Sequence, residues 1–156
     1  MKFTHLDKNK IKMVDISKKK LTFRSAKAKC LIKFPKIVFE KIAKSELEKG
    51  EIFNTARCAG IMAVKNTYNM IPLCHNISIN FIDIDFKTNE KKYVIEVYCD
   101  VTANYSTGVE MESLVGCSIA SLTIYDMCKS ISKRIVIKDM ELISKKGGKS
   151  DYIKND

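Results

Sequence analysis

The chain has few histidines, no paired cysteine motif and no long apolar run. It has two histidines, His5 and His75, and its six cysteines (30, 58, 74, 99, 117 and 128) form no C-x-x-C pair. Most of the cysteines sit inside apolar stretches such as "AKCLIKF" and "VGCSIASL". That placement suits small buried hydrophobes in a reducing compartment rather than disulfide or zinc ligands. No run approaches the roughly 18 apolar residues of a membrane helix. The opening "MKFTHLDKNKIKMVD" has neither an apolar signal core nor a cleavage site. The expected location is the cytoplasm, with no membrane partner. Internal repeats and low-complexity linkers are also missing, so the 156 residues read as one domain, 1–156.

Acidic residues are scarce at the start. Residues 1–36 hold twelve Lys or Arg and two Asp, while the remainder holds 16 of each sign. The net charge of +10 is therefore carried by the first quarter, with a basic arm over about residues 1–20. A one-sided positive field attracts nucleic acid, acidic lipid or nucleotide phosphates, or simply solubilises an arm.

The hydrophobic pattern predicts an order β-α-α-β-β-α-β. "LTFRSAKAKCLIKF" alternates as a strand. Pro35 opens one helix that Gly50 is expected to stop, and a second follows up to Pro72. "ISINFIDIDFK" changes phase near Phe81, which predicts a β-bulge. "KKYVIEVYCDVTANY" is its hairpin partner. A long helix over about 112–132 buries Leu114, Val115, Ile119, Leu122 and Tyr125. "KRIVIKDMELI" is the last strand, before a polar tail over about 144–156. This pattern predicts an α+β fold, a ferredoxin-like βαββαβ antiparallel sheet with helices on one face, plus an extra helix.

Chemistry can reside in "PLCHN", "TGVEMES" and "YDMCKS". Each has a structural reading too. His75 suits a loop hydrogen bond, Glu112 the positive end of a helix, and Asp126 with Lys129 a surface i,i+3 pair. Glu110 and Glu112 share a side if their stretch is extended. Glu112 and Asp126 lie about 21 Å apart in one straight helix. A small-molecule pocket is only about 10 Å across. If both helix ends serve one site, a second chain supplies one of them.

In order and spacing, "MVDIS", "KGEIFNTARCAGIMAVKNTYNMIPLCHNI", "TGVEMESL", "SIASLTIYDMCKSI" and "KKGGKSD" resemble the cyclic pyranopterin monophosphate synthases. This is the molybdenum cofactor biosynthesis protein C (MoaC) family, and the likeness spans about residues 4–151. It implies a lyase that rearranges a cyclised dihydro-GTP, supplied by a radical enzyme, to cyclic pyranopterin monophosphate and releases pyrophosphate. It implies no metal and no cofactor, and a homohexamer, a trimer of dimers with active sites between subunits. Position by position, Asp126, Lys129 and Lys49 fall on the family's catalytic residues. Such a lysine needs a pKa lowered by burial or nearby cations. Leu73, Cys74, His75, Glu110, Met111 and Glu112 fall on substrate contacts, with Cys74 as a contact rather than a nucleophile. Lys19, Arg24, Lys145 and Lys149 suit phosphate, and Asp15 approaches the site.

Two rivals remain. A basic RNA-binding module of ferredoxin-like fold fits the charge, but the usual RNP strand pattern is missing, so no nucleic-acid partner is expected. A zinc enzyme built on Cys74 and His75 has no third or fourth ligand at sensible spacing.

Overall fold

The computed structural model describes residues 6–7, 10–44 and 46–154, with the backbone alone at 6–7 and 46–49. Strands β1 (Leu6–Asp7) and β2 (Lys10–Ile11) form a small antiparallel ribbon. The main body runs β3 (Thr22–Lys33), α1 (Lys36–Lys44), α2 (Glu46–Lys65), α3 (Thr67–Met70), β4 (Phe81–Asn89) and β5 (Val94–Tyr105). It continues through α4 (Glu110–Cys128), β6 (Val136–Lys146) and β7 (Tyr152–Ile153). The sheet order is β4-β5-β3-β6-β7, with every neighbouring pair antiparallel. Without the short β7 this is the expected βαββαβ arrangement, and α1 is the added helix.

Alternation decides the two faces. In β3, Ala26, Ala28, Cys30 and Ile32 are buried while Lys27 and Lys29 point the other way. In β5, Val97, Cys99, Val101 and Ala103 point inward. Helix α4 lies over β3, β5 and β6, and α2 lies over β4 and against α4. Small residues permit that approach. A Cβ on Gly60 would stand 3.0 Å from the Gly116 carbonyl oxygen, and one on Gly116 would stand 2.6 Å from Cys99 Sγ.

This packing turns α4 away from its predicted orientation. Its buried side is Ser113, Gly116, Cys117, Ala120, Ser121 and Ile124, and of the predicted stripe only Val115 belongs to it fully. Leu122 is 53% exposed. Close helix packing selects small side chains, so hydrophobicity alone points to the wrong face.

Three other expectations change. Gly50 does not stop a helix, because α2 runs through it without a positive φ. The second helix instead breaks at Asn66, between α2 and α3. No bulge occurs near Phe81, since β4 pairs with β5 in unbroken register from Phe81 to Asn89. Ile77 and Ile79 precede the strand, which explains the apparent phase change. The bulges lie on β6, where pairing with β3 shifts twice and Asp139 takes φ 51°. Strand β6 also extends to Lys146, and β7 pairs with it at Ser144 and Lys145. The C-terminal segment is thereby tied to the sheet edge.

Candidate active site

Two clefts adjoin at the N-terminal end of α4. The first, about 480 Å³, is ringed by Lys19, Lys20, Arg24, Lys145, Lys146 and Lys149. Strand register gathers them. Ala26 pairs with Lys145 and Ser25 with Lys146, and Thr22 pairs with Tyr105. One end of the central strand thus meets the start of α4 and the turn after β6. Arg24 is aligned by donating from Nε to the Tyr105 carbonyl at 3.2 Å. The turn is fixed at Gly147, whose φ of +86° leaves a Cβ 1.8 Å from the Phe23 carbonyl oxygen, so only glycine fits. Thr22 Oγ1 donates to the Gly147 carbonyl at 3.0 Å, and the Gly147 N–H donates to Asp151 Oδ1 at 3.0 Å. Ser106 Oγ donates to the Lys19 carbonyl at 3.2 Å, which fastens the arm to this rim.

The second cleft, about 380 Å³, is built from Leu73, Cys74 and His75 on one wall and Met111 and Glu112 on the other. A turn after α3, with the Cys74 N–H on the Ile71 carbonyl at 3.0 Å, presents the first wall. Lys19, Thr107, Gly108 and Glu110 line both clefts, so the two share a wall.

Glu112 is 3% exposed. Burial first, and the charge of Glu110 in addition, pushes its carboxyl up to about 7. It can therefore exchange a proton near neutrality. Burial, with a smaller push from Glu112, also raises the Cys74 thiol. A thiol held protonated is a poor nucleophile. Glu110 makes an ion pair with Lys145, Oε1 to Nζ 3.4 Å. The stretch is helical from Glu110, so Glu110 and Glu112 project about 200° apart rather than sharing a side. Both reach the cleft because it lies across the first turn.

Asp126 and Lys129 lie elsewhere. They line a separate cleft of about 420 Å³ with Ile119, Leu122, Thr123 and Tyr125. Asp126 accepts a hydrogen bond from Lys129, and this raises the lysine's pKa, the opposite of what acid–base exchange needs. Both side chains are more than half exposed, at 53% for Lys129 and 68% for Asp126. Lys49 lies in α2, but its side chain is outside the described residues. Nearby on that helix, Glu51 and Ile52 line a hollow with Met127, Cys128 and Ile131. The start of α2 and the end of α4 are thus neighbours within one chain. Asp15 is exposed and lines neither cleft. Its Oδ1 accepts the Ser17 N–H at 2.9 Å, which lowers its pKa.

Sequence reasoning did not single out Thr22 or Ser106 for the site, and Thr107, Gly108 and Lys146 stood only inside the motifs "TGVEMES" and "KKGGKSD". A hydroxyl-rich "STG" before a helix was the available signal. Among the described residues, no three His, Cys, Asp or Glu side chains gather as a metal site requires.

The sequence that builds these two clefts has known relatives. Residues 13–148 match the MoaC family. The chain belongs to the MoaC family. Two of its relatives are named cyclic pyranopterin monophosphate synthase. The one from Bacillus mycoides is 44% identical over 157 residues, covering 98% of each chain. The one from Clostridium perfringens is 47% identical over 150 residues, covering 96% of this chain and 95% of its own. A molybdenum cofactor biosynthesis bifunctional protein from Synechocystis is 48% identical over 155 residues. There the match covers 96% of this chain and 45% of the relative, so the chain spans less than half of that protein.

Proposed function

We propose that the chain converts cyclised dihydro-GTP to cyclic pyranopterin monophosphate with release of pyrophosphate, as an enzyme of molybdenum cofactor biosynthesis. The observation that carries this reading is the adjacency of the two clefts, which share Lys19, Thr107, Gly108 and Glu110. One ligand with a triphosphate at one end and a fused ring at the other spans both. Lys19, Arg24, Lys145 and Lys149 neutralise the phosphates. Charge-assisted contacts of this kind stabilise both the bound triphosphate and the departing pyrophosphate. Leu73, Cys74, His75, Met111 and Glu112 hold the ring system, and Glu112, titrating near neutrality, can carry a proton beside it.

Asp126, Lys129 and Lys49 are the catalytic residues in this reading, and a second chain brings them. Sixteen residues separate Glu110 from Asp126 in α4, about 24 Å of helix, which no single small-molecule site spans. An interface that buries Lys129 or places cations beside it supplies the downward pKa shift missing in the single chain. A hexameric trimer of dimers, with sites between subunits, meets both needs. Asp15 lies on the same arm as Lys19 and assists once substrate draws that arm inward. A radical enzyme upstream provides the substrate, and the setting is cytoplasmic. The described residues contain no helix long and apolar enough to cross a membrane.

The test is incubation with enzymatically prepared cyclised dihydro-GTP, followed by mass spectrometry for the cyclic monophosphate and a pyrophosphate assay. Wild type is expected to form both products and Asp126→Asn neither. Intact substrate from a folded wild-type oligomer would reject the proposal and reopen the RNA-binding alternative.

A further inference from the structure

The basic cleft is lined, among its described residues, by six cations and a single carboxylate, that of Glu110. For a cleft that receives a triphosphate, this carboxylate costs affinity, because like charges repel at short range. Its position is nonetheless well defined. It pairs with Lys145 at 3.4 Å, which ties α4 to β6, and both side chains are about two-thirds buried. It is also folded over Gly108, where an added Cβ would stand 1.9 Å from Oε2. A role limited to the positive end of α4 requires neither contact.

We propose that Glu110 is a positioning residue that competes with phosphate for Lys145. In the empty cleft it holds the ammonium, so the site does not trap small anions. An incoming triphosphate displaces it. After pyrophosphate has formed, the carboxylate reclaims Lys145 and helps the product to leave. No bond changes in this exchange; one anion replaces another at the same cation. The inference rests on the phosphate-binding reading of the cleft given above.

Inorganic pyrophosphate is the probe. Its affinity is measured by calorimetry at one fixed ionic strength for wild type, Glu110→Gln, Lys145→Ala and the double variant. Glu110→Gln is expected to bind pyrophosphate roughly fivefold tighter, the upper range for a partly exposed ion pair. In turnover it is expected to show a lower KM and a lower kcat, because product leaves slowly. Glu110→Asp, which keeps the charge but draws it back, is expected between the two. In the Lys145→Ala background the same Gln change is expected to have little effect. No tightening in Glu110→Gln, or equal tightening without Lys145, would overturn the proposal. Lys19→Ala separates the layers. If it and Lys145→Ala weaken pyrophosphate binding but Glu110→Gln does not strengthen it, this inference alone fails. If neither weakens it, the phosphate reading fails as well.

Discussion

Replacing Glu112 by glutamine is expected to stabilise the folded protein by about 3 kcal/mol near and above neutral pH and by less than about 1 kcal/mol at about pH 5. Burial, assisted by the charge of Glu110, moves this carboxyl from an ordinary 4.5 to about 7. The folded chain therefore holds the proton more tightly than the unfolded chain does. The stability contributed by this group is complete below about 4.5 and is lost as the pH rises through about 7. At about 1.36 kcal/mol for each tenfold change in proton affinity, the ionised form costs about 3 kcal/mol. Glutamine has nearly the same shape and no proton to lose, so it escapes that cost. The assay is urea unfolding of both proteins between about pH 5 and 8.5, at one protein concentration because association also stabilises. The upper limit keeps buried thiols out of the comparison. Burial pushes Cys99 up to about 12 and Cys128 up to about 11, while unfolded thiols ionise near 9. Parallel stability curves for the two proteins across the range would refute the reasoning, since the penalty must grow between about pH 5 and 7 and then level off.

Other substitutions probe the site and its frame. Lys19→Ala is expected to weaken substrate binding by tenfold or more, the scale of a lost contact to a charged group, with a smaller effect on kcat. A loss confined to turnover would contradict its phosphate role. His75→Ala and Asp126→Ala, each inactive alone, are expected to recover part of the activity when their subunits are exchanged. Asp126→Ala with Lys49→Ala is expected to recover none, because the start of α2 and the end of α4 adjoin within one chain; the reverse pattern in activity assays would rule out the shared site. Gly147→Ala is expected to cost about 1–3 kcal/mol in thermal unfolding and to weaken pyrophosphate binding, because the turn must leave its positive φ. An unchanged melting temperature would show that the turn relaxes freely.

Much of the architecture could be read from the residues, and the reason is local. Alternation in "AKAKCLIK" puts lysines on one face and small apolar residues on the other, whichever strands lie alongside. The failures also share a cause. Gly50 resembled a helix stop, yet a glycine stops a helix only when the chain takes a positive φ there, and α2 continues. Leu122 resembled a core residue, yet the contact with α2 and the sheet admits Gly116 and Ala120 instead. The bulges on β6 depend on pairing with β3, which no pattern within "KDMELIS" discloses.

The site divides along the same line. Motif order alone was enough to nominate Asp126, His75, Glu112 and the lysines, because long motifs in fixed sequence identify the family. Which of them meet is a tertiary matter. Strand register joins Arg24 to Lys145, and the α4 N-terminus joins their cleft to that of Cys74 and His75. The same helix carries Asp126 about 24 Å away. Burial of Glu112 and the pairing of Glu110 with Lys145 likewise arise only when segments distant in sequence pack together. Residue types and their order determined the fold and the family. Distances and desolvation, which set the charge state of each group, were decided by the folded chain.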